Sequence, residues 1–590
     1  MGTSSRRGAR RLFPIVLLIV ILVIGFGSVR YLSAFKVDRE PKVVIVGVTR
    51  GAASDLDRLA QAFSAGAPGY AVKTLASGAG GEIAWDGDPD QAGDGGGEAG
   101  VLDAREEARM LATLLKSGWI DCLFAEADSL RELGLPLAGP VFRQATLISV
   151  LFPSAHQSVT LDEASSIVTA LTAGNPGPWP QSGLALLGLA DRSPDRQLLE
   201  VAGVYPTAAT VLDGCYPLTK DIGLAVRSPR GLAGLVGGLP LLGSWLQPNR
   251  EAVDLFLEWM GSEEARAAFY GSEITLAAVG DVMLARKTQR EIDQYGLDYP
   301  FKNVAERLSS ADLTFCNLEA PLGDTGRPIP GKVIWLRGRP EFIECLKLAG
   351  FDVISVCNNH ILDYDSPCML QTLDLLDEAG IAYVGGGRNI EDARTPRIVE
   401  AGGLKLGFIG YTEFADSWLF WDYSYRRTFL ADEDVPGCNP LDMTLVAADI
   451  ARAKEMGADL VVVSYHWGWE DILYPAAFNP KNDLEAIARR TIDLGASVVL
   501  GHHPHIVQGF EVYRGGVIAY SLGNFVNDQA KPHQKEGTIL ELQIGPSGVL
   551  SARITPVWIE STAPRFMTGD EKKAMMEKIE RISVGFRSRQ

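Results

Sequence analysis

Near its start the chain carries an apolar run from Leu12 to Phe26 (LFPIVLLIVILVIGF) with no polar face. A run of that kind predicts a membrane-spanning helix and not an amphipathic one. After it, hydrophobic and polar positions alternate in shorter blocks. Lys42–Gly47 (KVVIVG) reads as a buried strand ending in a glycine loop, and Leu56, Leu59 and Phe63 follow at helical spacing. Asp86–Gly100 (DGDPDQAGDGGGEAG) is acidic and glycine-rich, cannot bury a core, and predicts a flexible loop. The pattern changes at Ser272. From Ile274–Val279 (ITLAAV) to about Glu560, strand and helix patterns alternate repeatedly, which predicts a layered α/β architecture with loops at the strand ends. Thr568–Ser583, with Asp570 and Glu571 in its first turn, predicts a packing helix.

A length of 590 residues implies two to four domains, and 46% hydrophobic with 22% charged residues is ordinary for folded ones. The net charge of −18 argues against a nucleic-acid partner, because no broad basic surface can neutralise a phosphate backbone. An anionic ligand in a basic or metal-filled pocket remains compatible with it. The seven cysteines form no CxxC pair, and their odd number leaves at least one free thiol. A thiolate zinc site and a disulfide framework are therefore both disfavoured. Arg6, Arg7, Arg10 and Arg11 precede the apolar run with no acidic residue among them. This places the N-terminus in the cytoplasm and residues beyond about 35 outside it. The length of the run and the lack of an A-x-A site favour a retained single-pass anchor over a cleaved signal. The expectation is a cell-membrane protein with extracytoplasmic domains.

Several segments beyond the anchor resemble type II periplasmic solute-binding proteins, the phosphate-binding kind in particular. They are Ala145–Phe152 (ATLISVLF), Leu161–Trp179, Cys215–Thr219 (CYPLT) and Phe256–Ala265 (FLEWMGSEEA), in the family's order. The resemblance covers about residues 42–270 and implies a two-lobed α/β domain over 40–270. In such proteins an anion is held between the lobes by backbone N–H groups and hydroxyls. Gly47–Ser54 (GVTRGAAS) fits as one wall, with Thr49, Arg50 and Ser54 as its anion-binding residues. A spacer that has lost its ligand is the other reading. The only histidine in this part is His156, so metal hydrolysis is not expected there.

Histidine placement marks the C-terminal half. Five of the seven histidines fall in three short motifs, each following or ending an apolar strand. Ile354–Cys357 leads into Asn358-Asn359-His360, Leu460–Tyr465 into His466-Trp467-Gly468, and Ala496–Leu500 into Gly501-His502-His503-Pro504-His505. Two carboxylates arrive in the same way, Asp281 after Ala277–Val279 and Glu319 after Leu313–Cys316. Loops beyond the carboxyl ends of strands are where open α/β sheets place ligands. A carboxylate, imidazole and amide set without thiolates suits manganese, iron or zinc.

Gly280-Asp281-Val282-Met283-Leu284, Asn317-Leu318-Glu319, Asn358-Asn359-His360-Ile361-Leu362-Asp363, His466-Trp467-Gly468-x-Glu470, Gly501–His505 and Tyr520–Phe525 (YSLGNF) resemble, in order, the signature of the CapA family of capsule poly-γ-glutamate biosynthesis. The resemblance implies a calcineurin-like metallophosphoesterase fold over 272–565, an αββα sandwich, followed by a helical tail at 566–590. It also implies one or two divalent ions, with Asp281, Glu319, Asn359, His466, His503 and His505 as metal ligands. His360 would be the general acid, with Asp281 and Glu319 also at the catalytic centre. The function it implies is metal-dependent, hydrolase-type handling of an anionic polymer such as poly-γ-glutamate, or of its linkage, beside other capsule-synthesis membrane proteins. A non-catalytic polymer-binding or anchoring subunit and a general cell-surface metallophosphoesterase are the alternatives.

The sequence departs from these patterns at four points. Met283 stands where metallophosphoesterases carry a histidine, Asn317 and Glu319 where they carry a bridging aspartate, and Asp365 where the CapA pattern has glycine. Three histidines in Gly501–His505 leave open which two bind metal. Arg337 and Arg339 (WLRGRP) and Arg388 (GGGRN) sit in glycine-rich turns and read equally as polymer-binding residues or as exposed turn arginines. Trp467 reads as a wall of the substrate cleft or as core.

Overall fold

The computed structural model describes residues 273–587 apart from 418–426. Before them it describes 42–48, 53–67, 70–77, 83–85, 122–138, 142–145, 147–155, 157–172, 185–187, 192–202, 204–207, 215–226 and 250–260, with a few single residues between. The expected span within 1–35, the Asp86–Gly100 loop, Thr49 and Arg50, and the side chain of Ser54 lie outside the described residues. No helix among those described is long and apolar enough to cross a membrane.

The chain forms two compact units, Met1–Gln144 with Lys220–Tyr270, and Ala145–Thr219 with Gly271–Gln590. In the first, Lys42–Val48 pairs in parallel with Tyr70–Ser77 and with Cys122–Glu126, and Thr219–Val226 joins antiparallel. The helix Ala53–Gly66 forms where the spacing of Leu56, Leu59 and Phe63 predicts it. Its Phe63 packs edge-on to Phe256 of the helix Arg250–Met260, centroids 5.2 Å apart. Residues 145–219, expected with 40–270, group instead with the C-terminal unit. The reason is physical contact there: Phe152 packs edge-on to Phe510, the Gln157 amide donates to the Ile554 carbonyl at 2.7 Å, and Arg553 pairs with Glu200.

The C-terminal region opens with Ile274–Val282 (β1), Leu313–Leu318 (β2), Val353–Ser355 (β3) and Ala382–Val384 (β4). The chain then builds a second sheet from Arg397–Ala401 (β5), Leu404–Thr412 (β6), Leu460–His466 (β7), Val498–His502 (β8), Phe510–Tyr513 (β9) and Gly516–Ala519 (β10). It returns with Asn524–Val526 (β11), Glu536–Gly545 (β12), Gly548–Glu560 (β13) and Ala563–Phe566 (β14). The first sheet runs β4-β3-β2-β1-β12-β13-β14 with β11 beside β1, and the second runs β5-β6-β7-β8-β10-β9.

Strand parity sorts the side chains into layers. Leu276, Ala278 and Phe315 of the first sheet meet Phe408, Val462, Val498 and Leu500 of the second in one core between the sheets. Their neighbours Ala277, Val279 and Cys316 turn outward to a core shared with Leu346, Met369 and Leu373 of the helices Ile343–Ala349 and Asp365–Ala379. Likewise Tyr411, Val461 and Tyr465 face Val446 and Ile487 of the helices Met443–Glu455 and Leu484–Asp493. These are four layers, helix, sheet, sheet, helix, of a mixed α/β protein. The terminal helix Gly569–Arg587 docks on β9: the Phe510 N–H donates to Ser583 Oγ at 3.0 Å, and Phe586 stacks on Tyr520.

Candidate metal centre

The strands β1 and β2 of one sheet and β7 and β8 of the other end at the same edge of the inter-sheet layer. By parity His466 follows Val462 and Ser464, and His502 follows Val498 and Leu500, so both rings point between the sheets and not to the helices. A close approach of backbones makes this edge compact. A Cβ on Gly280 would lie 1.8 Å from the Gly523 carbonyl oxygen, to which the Asp281 N–H donates. A Cβ on Gly501 would lie 1.9 Å from the Tyr520 oxygen. Only glycine permits either contact.

Seven side chains converge here. Asn317 donates to Asp281 at 2.8 Å and lies 3.4 Å from His466 Nδ1. His466 Nε2 is 3.0 Å from Asn359 Oδ1, 3.1 Å from His503 Nδ1 and 3.7 Å from Glu319. His505 Nδ1 is 3.6 Å from Asp281 and its Nε2 3.6 Å from Glu319. Asp281, Glu319, Asn317, His466, His503 and His505 are all buried. Glu319, His503 and His505 form the tightest set, with one donor atom each lying within 4.8 Å of one another. His503 and His505 have φ of 96° and 59°, a region other residues avoid, so the Gly501–His505 turn spends backbone strain to aim both rings inward.

Charge explains what this cluster lacks. Burial alone would raise the Asp281 carboxyl, but His502, His505 and the Asn317 amide hold it below its ordinary value. Glu319 goes the other way: burial, then the nearby Asp281 charge, push it well above the ordinary carboxylate value. Its Oε1 is buried with no hydrogen-bond partner. Burial, then the neighbouring imidazoles, hold His466 and His503 well below the usual imidazole value, so both are neutral donors. An orphaned carboxylate oxygen facing neutral imidazoles fits a divalent cation, and the absence of thiolates fits manganese, iron or zinc.

His360 sits beside this group. Its Nδ1 is 2.7 Å from Asp363, which also pairs with Lys332, and Lys332 donates to the Asn359 carbonyl at 2.5 Å. Burial lowers both His360 and Lys332 from their ordinary values. Asp363 was legible three residues after His360. Lys332 had no signal in the sequence, since it reaches the site from a loop 28 positions upstream. Phe414, whose ring lies 4.3 Å from that of His503, was likewise unmarked. Asn524, within Tyr520–Phe525, accepts His505 Nδ1 at 2.9 Å and so orients that ring.

Other expected residues fall elsewhere. Trp467 is wholly buried, stacked on Tyr465 and donating to the Tyr520 carbonyl at 3.0 Å, so it offers no face to a substrate. That corrects its reading as a cleft wall; strand parity turns it to the helix side, and Trp469 is the exposed one. Arg388 is taken up by Asp374, Asp377 and the Tyr383 hydroxyl, and Arg339 by Asp293 and Glu341. Arg337 stacks on Tyr364 and donates to the Thr325 carbonyl at 3.2 Å, so its contacts are within the protein and not to a carboxylate. Met283 packs with Ala285, Ala320 and Leu336 in a small apolar cluster, away from ligation. His502 lies at the floor against Phe315, 3.5 Å from Asp281, and it is His503 and His505 of that motif that group with Glu319. Asp365 adopts φ of 61°, which explains why glycine suits that position and why the change stays local to a turn.

Known proteins are similar to this chain in sequence. The family described as bacterial capsule synthesis protein PGA_cap matches residues 275–529. The chain is 31% identical over 319 residues to the capsule biosynthesis protein CapA of Bacillus anthracis, covering 52% of this chain and 74% of that one. It is 30% identical over 320 residues to the PGA biosynthesis protein CapA of Bacillus subtilis, covering 53% and 80%. A probable polyglutamine synthesis accessory protein of Mycobacterium tuberculosis is 26% identical over 372 residues, covering 60% and 91%. Among solved structures, a putative phosphate ABC transporter substrate-binding protein from Clostridium perfringens covers 38% of this chain and 96% of its own, at 10% identity and a TM-score of 0.25. A score that low carries no argument about the first unit.

Proposed function

The chain belongs to the CapA family of bacterial capsule synthesis proteins, and from that premise we propose a membrane-anchored, extracytoplasmic protein of capsule or poly-γ-glutamate production. Its C-terminal sandwich, of the metallophosphoesterase kind, uses a divalent metal in hydrolase-type handling of an anionic polymer or its linkage. The observation that carries this reading is the buried, unpartnered Glu319 oxygen facing His503 and His505. Those three residues would hold the ion, with Asp281, His466 and Asn359 around it. A bound manganese, iron or zinc ion supplies Lewis acidity and activates water near neutral pH.

The residues of the chain supply the rest. Asp363 accepts a hydrogen bond from Nδ1 of His360 and fixes the ring, leaving Nε2 as the atom at which a proton is exchanged with a leaving group. Lys332 holds Asp363 and the Asn359 carbonyl in place. Asn524 and Asn317 orient His505 and Asp281. Phe414 lies against His503 and keeps water from that side of the ring. The same contact favours a second reading, a non-catalytic polymer-binding subunit whose metal is structural. In the first unit, Gly47–Ser54 remains the proposed anion wall.

Metal analysis of the purified chain, followed by turnover assays on phosphoesters and γ-glutamyl polymers, tests the proposal. A stoichiometric divalent ion with metal-dependent turnover supports the hydrolase. A retained ion without turnover on any of them moves the chain to the binding reading, and the absence of an ion sinks both.

A further inference from the structure

Large hydrophobic side chains are exposed unevenly. Of the thirteen such residues among those described, seven lie on two loops, 326–339 and 467–479, and the others are scattered. Both loops border the metal centre. Lys332, beside Val333, touches His360 and Asn359. From His503 the rings of Phe414, Phe478 and Trp469 follow one another at 4.3, 4.9 and 4.7 Å. An apolar rim around a buried polar site marks an interaction surface.

The rim is built, not slack. Glu413 accepts the N–H groups of Gly468, Phe478 and Asn479 at 2.9, 3.0 and 2.8 Å. Asp471 is held by His533 and Gln534 at 3.0 and 2.8 Å, and Gln508 by the Ile472 carbonyl at 2.7 Å. The Trp335 indole N–H donates to Ile329 within its own loop, so what it exposes is ring. Side chains project from it: Val333 is 87% and Tyr474 57% exposed. Projecting side chains suit a soft surface that admits them better than a ligand that needs concave walls. Tryptophan and tyrosine are the residues favoured where an apolar layer meets water. Residues 325–340 contain Arg327, Lys332, Arg337 and Arg339 and no acidic residue, a local reversal in a chain of net charge −18. Lys332 and Arg339 are engaged by Asp363 and by Asp293 and Glu341, which leaves Arg327 and Arg337 as the cations of this loop. On the second loop Asp471 is neutralised by Lys531. That reversal matches anionic headgroups.

We propose that loops 326–339 and 467–479 seat on an anionic lipid surface, setting the mouth of the metal centre at the level of the headgroups. This goes beyond the metal reading and does not require it. The full chain, with the exposed Cys215 replaced by serine because the other cysteines are buried, is reconstituted into phosphatidylcholine vesicles containing phosphatidylglycerol. A polarity-sensitive dye is attached at Val333→Cys, at Tyr474→Cys or, as control, at Met456→Cys, which is exposed elsewhere. The expected result is loss of fluorescence to a lipid-borne quencher at 333 and 474 but not at 456, and its weakening by Arg327→Glu. No quenching at 333 and 474, or equal quenching at 456, overturns the proposal. So does a dye response to soluble polyglutamate without lipid, which would make the rim a polymer seat. Metal content of the same samples separates the two readings: quenching without metal sinks only the metal centre, and metal without quenching only the lipid seat.

Discussion

At the scale of single residues the centre is governed by two carboxylates with opposite fates. Asp281 is surrounded by donors and stays ionised; Glu319, starved of them, is driven toward its protonated form. Glu319→Gln imitates that protonated state, so the unloaded variant should be no less stable than the parent, while metal content falls more than about tenfold. Denaturation and metal analysis on one sample check both halves; a variant that keeps its metal removes Glu319 from the ligand set. His360 belongs to a different group of contacts, through Asp363 and Lys332. His360→Asn should therefore lower turnover by about 10²–10⁴ with metal retained, as removing a proton-transfer group does. Concomitant loss of metal would assign it a structural place instead.

Elements set how tightly these residues are held. The strand β1 bears Asp281 one residue after Gly280, and the Gly523 backbone fills the space a side chain would need. Gly280→Ala should cost about 3 kcal/mol, because the clash is with backbone that cannot rotate away. Unchanged denaturant stability would show that β11 moves freely. The helix Met443–Glu455 behind the second sheet begins at Asp442, whose side chain accepts the Thr444 N–H at 2.7 Å. That bond holds the Asp442 carboxyl below its ordinary value. Its stabilisation is therefore complete above the unfolded-state value and is lost as pH falls through the folded one. Asp442→Ala should cost about 1 kcal/mol at neutral pH, and the difference from the parent should shrink on acidification. A gap that is constant with pH would mean the cap is not the source.

For the whole molecule, a cation that binds only the folded C-terminal unit should stabilise that unit by mass action. At free metal about 100 times the dissociation constant the gain is about 2.7 kcal/mol. Calorimetry should show it as an upward shift of one transition, reversed by a chelator, with the transition of the other unit unmoved. No shift at any metal concentration would leave the centre without a ligand. A chain of this size need not unfold in two states, so the shift of each transition is the quantity to compare.

What the sequence determined by itself was periodicity and strand-end chemistry. Alternation from Ile274 onward specified the strands, and Asp281, Glu319, Asn359, His360, His466, His503 and His505 were marked because each ends or follows one. Local pattern suffices there, since a strand's parity is written in its own residues. Tertiary structure decided what depends on residues far apart in the chain. It brought Lys332 under His360 and Phe414 against His503, and it sent His502 to the floor while His505 reached Glu319. It also turned Trp467 into the helix-side core, and joined residues 145–219 to the C-terminal unit through Phe152, Gln157 and Glu200. None of these follows from spacing, because burial and pairing are properties of surfaces that exist only once the sheets have packed.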